Sequence, residues 1–140
     1  MDDMYNKKVE TMPRKKLEEL QYKRLKKTLK LVYEKVPFYK KKFKEKNITP
    51  EDIKTLDDVT KLPFTTKSDL RDNMPFNMMA SPLKNCIELH ASSGTTGTPV
   101  TVCYTRNDID VWSEVMARCL KMSGLTKKDV FQNPIPYGTF

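Results

Sequence analysis

The stretch Cys86-Ile87-Glu88-Leu89-His90-Ala91-Ser92-Ser93-Gly94-Thr95-Thr96-Gly97-Thr98-Pro99-Val100-Thr101-Val102-Cys103-Tyr104 decides the fold. Its two ends alternate and are rich in β-branched residues, which predicts a strand over 86–91 and another over 100–104. Between them, residues 92–98 are all Ser, Thr or Gly. Glycines let backbone N–H groups approach a ligand closely, and hydroxyls add uncharged donors. Such a loop can wrap phosphate oxygens in a nest of donors. Hydrogen bonds to a charged partner are worth roughly 1.5–3 kcal/mol each, so a few suffice to hold a polyphosphate. A Walker A loop would run through Gly-Lys-Ser/Thr into a helix. Here Pro99 and a strand follow, so the dipole of a helix start is not the binding device. A plain hairpin tip is the competing reading of an arbitrary Ser/Thr/Gly heptamer.

Downstream, Thr105-Arg106-Asn107-Asp108 opens a helix whose apolar stripe is Ile109, Trp112, Val115, Met116, Cys119 and Leu120, stopped by Gly124. Asp129-Val130-Phe131-Gln132 reads as a further strand. Trp112 is expected in the core, and Cys86, Cys103 and Cys119 are expected as small buried apolar residues. Three cysteines without a CxxC pair argue against a disulfide framework or zinc site. His90, the single histidine, reads as a structural residue that could help shape the adjoining loop. No thiol–histidine pair suggests nucleophilic catalysis, and no carboxylate pair suggests metal or glycosidase chemistry.

Upstream the texture is helical and basic. Proline at 13 suits a first helical turn, and Leu17, Leu20, Leu25, Leu29, Val32 and Val36 recur at helical spacing, predicting a helix over 13–35 ended by Pro37. A short basic helix follows over 38–46, with Asn47 as a left-handed cap. Thr49-Pro50-Glu51-Asp52 predicts a capped turn and 56–59 another. Thr66-Lys67-Ser68-Asp69 resembles a capping box that opens a helix over 67–73. Residues 74–86 carry no periodicity and read as loop. The organisation is therefore a basic helical segment over 1–85 and a β-loop-β-α-β segment over 86–140, an α/β chain with no internal repeat.

Of 140 residues, 38% are hydrophobic and 31% charged, which argues against wholesale disorder. No apolar run approaches the roughly 20 residues of a membrane span. Met1-Asp2-Asp3-Met4 is followed by no apolar stretch, so no secretory signal is expected and a cytoplasmic location is the default. The net charge of +8 is uneven: residues 1–50 hold 16 Lys/Arg against 7 Asp/Glu, and the remainder holds 10 against 11. A nucleic-acid or anionic-membrane surface is one reading. A solvated, lysine-clad helix face is the preferred one, so neither nucleic acid nor membrane is expected as a partner.

Taken with its flanks, Leu89-His90-Ala91-Ser92-Ser93-Gly94-Thr95-Thr96-Gly97-Thr98-Pro99 closely resembles the phosphate-binding loop of the AMP-forming adenylating enzymes. Met12-Pro13-Arg14, Val36-Pro37-Phe38-Tyr39, Leu62-Pro63-Phe64-Thr65-Thr66-Lys67, Asp69-Leu70-Arg71 and Tyr104-Thr105-Arg106-Asn107-Asp108 narrow the resemblance to the phenylacetate–CoA ligases, over nearly the whole chain from about residue 10. The resemblance implies activation of an aryl acid, phenylacetate or similar, by ATP with Mg2+ to an acyl-adenylate, and then transfer to CoA. It implies that Ser92, Ser93, Gly94, Thr95, Thr96, Gly97 and Thr98 hold ATP phosphates. Tyr137, Gly138 and Phe140 match the start of the aromatic segment bordering the acid pocket. Thr98 and Val100 stand where many relatives carry lysine, so one phosphate-facing cation is missing.

The same resemblance implies that the catalytic parts lie elsewhere. An aromatic-Gly-x-Thr-Glu segment, a ribose-binding aspartate, a hinge and a C-terminal lysine do not occur in this sequence. The expected assignment is an N-terminal, incomplete part of the large domain of such an enzyme, with no catalytic or metal-binding residue of its own. The part alone is expected to be inactive and prone to oligomerise, and the whole enzyme to be a homodimer. The alternative is a standalone basic binding module without catalysis.

Overall fold

The computed structural model describes residues 4–92 and 99–134. A short helix α1 (Lys7–Glu10), capped by the Asn6 side chain, precedes the expected long helix and was not foreseen in the sequence. The long helix α2 (Arg14–Lys35) follows Pro13. It ends because Val36 stands before Pro37, and the proline ring pushes Val36 into extended backbone, φ −115°, ψ 103°. Pro37 then opens α3 (Pro37–Glu45), where its missing N–H costs nothing. Asn47 sits at φ 54° and closes α3, with Asn47 N–H donating to Lys44 O and Ile48 N–H to Phe43 O, both at 3.0 Å.

α2 and the segment beyond α3 enclose a small core. Leu29, Phe43 and Ile53 are buried, with Leu25, Tyr33, Ile48 and Leu62 packed around them. The Tyr33 and Phe43 rings lie 5.6 Å apart, tilted by 59°. Polar groups at the edge tie the same elements: Tyr22 Oη donates to Ile53 O at 3.1 Å, and Lys26 Nζ to Pro50 O at 3.0 Å. Leu17 and Leu20, on the first turns of α2, are only half-buried, whereas Leu29 and Val36 are buried, so burial favours the later part of the expected apolar stripe.

Single 3-10 turns at Pro50–Asp52 and Asp57–Lys61 lead to α4 (Lys67–Asp72). Thr66 and Asp69 form the expected capping box at 2.8–3.1 Å, and Lys42 pairs with Asp69 at 3.4 Å, joining α3 to α4. The Asp58 carboxylate pairs with Lys61 at 2.7 Å and accepts from the N–H groups of Lys54 and Thr55 at 2.8 Å. These partners, Lys61 first, hold its carboxyl well below the usual carboxylate range. A depressed carboxylate contributes stability above its unfolded pKa of about 3.9 that is lost as pH falls through the folded value. Asp58→Asn should therefore lower the urea midpoint at pH 7 and shrink its further drop between about pH 5 and pH 2. Equal acid losses in variant and parent would refute this role.

The strands β1 (Cys86–Ala91) and β2 (Thr101–Thr105) form an antiparallel pair with Leu89 opposite Cys103, His90 opposite Val102 and Ala91 opposite Thr101. Thr105 and Asp108 box the start of α5 (Arg106–Met122) at 2.7–3.4 Å, and Gly124 at φ 95° ends it. The amide of Asn6 reaches Glu114 of α5 at 2.8 Å, linking the two ends of the described fold.

Three expectations fail here. Residues 129–132 form no strand: Asp129 instead closes a turn on Thr126 at 2.6–2.7 Å, and Val130 is 99% exposed. A strand needs a ladder partner, and the only sheet among the described residues is the β1–β2 pair. Trp112 is not core; it is 44% exposed, and Val115 and Met116 on the same stripe are exposed with it. The cysteines are not buried: Cys86 and Cys103 are intermediate and Cys119 is exposed. The α5 stripe has the right period for burial, but the described elements cover it incompletely and leave Trp112, Val115 and Met116 partly in solvent.

Candidate functional site

β1 and β2 carry the Ser/Thr/Gly loop as the tip of a hairpin. Ser92 closes its base twice: the Ser92 N–H donates to Val100 O at 2.9 Å, and Ser92 Oγ accepts from the Val100 N–H at 3.0 Å. One lone pair of Ser92 is therefore committed to the stem, and its O–H remains a donor. Residues 93–98, and with them Ser93, Gly94, Thr95, Thr96, Gly97 and Thr98, lie outside the described residues, as do Tyr137, Gly138 and Phe140.

Two environments flank the stem. On one face, His90 packs edge-on to Tyr104 with centroids 5.0 Å apart, and Trp112 lies 5.7 Å from His90 and 5.4 Å from Tyr104. The His90 ring also meets Glu88 at 3.1 Å. A carboxylate only accepts, so Nε2 is the donor there. The structural role expected of His90 is thus borne by an aromatic cluster and by Glu88. That partner was missed in the sequence although the i, i+2 spacing on a strand announces a shared face.

On the other side, segment 74–82 folds against β2 and leaves a cleft of about 580 Å3. Thr101 anchors that segment, its N–H donating to Met74 Sδ at 3.3 Å and its hydroxyl to Pro75 O at 3.4 Å. Leu31, Tyr39, Met74, Met78, Cys86 and Cys103 contribute to the walls. No sequence period foretold this cleft, because an irregular segment builds it. Among the described residues, no group of three His, Cys, Asp or Glu side chains could hold a metal ion, and no helix is long and apolar enough to cross a membrane.

No protein-family model matches the chain. Curated proteins do. The phenylacetate–coenzyme A ligase of Escherichia coli K12 is 47% identical over 132 residues, which is 94% of this chain. That of Thermus thermophilus is 44% identical over 137 residues, or 98% of it. Over nearly all of its own length, the chain matches part of the phenylacetate–coenzyme A ligases. It spans about 30% of the length of the curated ligases it matches. A crystal structure of 2-hydroxyisobutyryl-CoA ligase with 2-HIB-AMP and CoA, in the thioesterification state, superposes with a TM-score of 0.78 at 28% identity, covering 86% of this chain and 26% of that one. The postadenylation state of the same enzyme gives 0.79 at 25% identity, covering 89% and 27%. The fold is thus part of the fold of an adenylate-forming CoA ligase, which accounts for an α5 stripe and a two-stranded sheet with little packed over them.

Proposed function

We propose that the chain is the phosphate-holding part of a ligase that activates phenylacetate or a similar aryl acid with ATP and passes the acyl group to CoA. The observation that carries this reading is the extent of the family match. An alignment of 132 or 137 residues within 140 spans the hairpin and its loop. In this reading residues 92–98 hold the ATP phosphates, Tyr137, Gly138 and Phe140 border the acid, and Mg2+ accompanies the nucleotide. In this reading the chain alone is inactive, because the chemistry depends on the remaining two thirds of a ligase. A homodimeric, cytoplasmic whole enzyme belongs to the same proposal.

The test is to join residues 1–140 to the complementary remainder of the E. coli relative and to measure phenylacetate-dependent pyrophosphate release. Activity in the joined protein and none in the chain alone is the expected result. A folded, inactive joined protein beside an active intact relative would reject the proposal. In the joined enzyme, Thr98→Lys should lower the KM for ATP about 3- to 10-fold by adding a charge-assisted phosphate contact. An unchanged KM would remove residue 98 from the phosphate site.

A further inference from the structure

Two of the three cysteines are neighbours on the sheet. Cys86 pairs with Thr105, and Cys103 lies two positions before Thr105 on β2. Side chains two apart on a strand share a face, so Cys86 and Cys103 are diagonal cross-strand neighbours. Both line the same cleft. The two thiols are close enough to influence each other, and Cys86 Sγ donates to Glu88 O at 3.1 Å. Neither is buried, so a small reagent has access from the cleft, whereas Cys119 lies apart on α5.

We propose that Cys86 and Cys103 are a reversible dithiol–disulfide pair, oxidised by a low-molecular-weight disulfide of the glutathione type, that cross-links β1 to β2 in the stem of the hairpin carrying residues 92–98. The Cys86 thiolate attacks one sulfur of the reagent, forming a mixed disulfide and expelling one glutathione thiolate. Cys103 then loses its proton to solvent and attacks the Cys86 sulfur, expelling the second. Two protein thiols are oxidised and one glutathione disulfide is reduced to two thiols. Partial desolvation in the cleft and the adjacent Cys86 thiol push the Cys103 pKa up, which suits Cys103 to the resolving step. The bond closes a loop over residues 87–102, which restricts the unfolded chain and raises the melting midpoint by about 5–10 °C.

The full 140-residue chain is incubated with oxidised glutathione at about pH 8, freed of reagent, denatured, and analysed by thiol titration and intact mass. The titre should fall from three thiols to one, with about 2 Da lost and no retained glutathione, and dithiothreitol should reverse both changes. Cys119→Ser should leave the reaction intact. Cys86→Ser and Cys103→Ser should each stop at a stable glutathione adduct. Three surviving thiols, a persistent adduct on the parent chain, a disulfide that Cys103→Ser does not abolish, or dimers linked through Cys119 as the product would each overturn the pairing.

Discussion

Replacing Thr95 and Thr96 together by valine in the joined ligase should slow phenylacetate-dependent ATP–pyrophosphate exchange about 10^2- to 10^4-fold. Valine keeps the shape of threonine and removes its hydroxyl, so the change isolates the two hydrogen bonds that the proposed phosphate site requires. At roughly 1.5–3 kcal/mol for each bond to a charged phosphate, the loss is about 3–6 kcal/mol, and each 1.36 kcal/mol is a factor of ten in rate. The stem is untouched, because Ser92 and Val100 close it through their own backbone and the Ser92 hydroxyl oxygen. The melting midpoint should therefore move by no more than about 1 °C. A loss of exchange below fivefold would show that the loop hydroxyls do not carry phosphate binding.

The largest effect on stability is expected from Phe43→Ala. Phe43 is 2% exposed, packs with Leu29 and Ile53, and stacks obliquely on Tyr33. Truncating a buried phenylalanine costs about 3–5 kcal/mol, the lost transfer energy plus the cavity. Domains hold about 5–15 kcal/mol in total, so the helical unit should lose most or all of its cooperative urea transition, followed by circular dichroism at 222 nm. Phe64→Ala is the matched control. Phe64 is 88% exposed, and its removal should shift stability by no more than about 0.5 kcal/mol. Equal effects at the two positions would mean that the Leu29–Phe43–Ile53 cluster is not what holds the helices together.

The elements legible in the sequence share a property. The Thr66–Asp69 and Thr105–Asp108 boxes, the Val36-Pro37 break, and the left-handed stops at Asn47 and Gly124 are all settled by groups within about five residues. Local hydrogen bonds and backbone sterics do not wait for the rest of the fold. The β1–β2 hairpin was legible for a similar reason, since the alternation at 86–91 and 100–104 flanks one uninterrupted Ser/Thr/Gly run. That same run announced the candidate site by composition and order alone, and its likeness to the adenylating enzymes agrees with the family match.

Burial and long-range pairing were not legible. The α5 stripe has the period of a buried face, yet Trp112 is half in solvent, because a period says which side chains align and not what packs on them. Residues 129–132 have strand composition, but a strand exists only where a partner offers its hydrogen bonds. The approach of Cys86 to Cys103 and the cleft beneath them follow from strand register and from segment 74–82 folding onto Thr101. The sequence by itself determined the long helices, the hairpin strands, their caps and the likeness to the ligases. Only the tertiary structure decided which apolar residues form the core, which stay exposed, and which thiols line one cleft, because those outcomes depend on contacts between residues far apart in the chain.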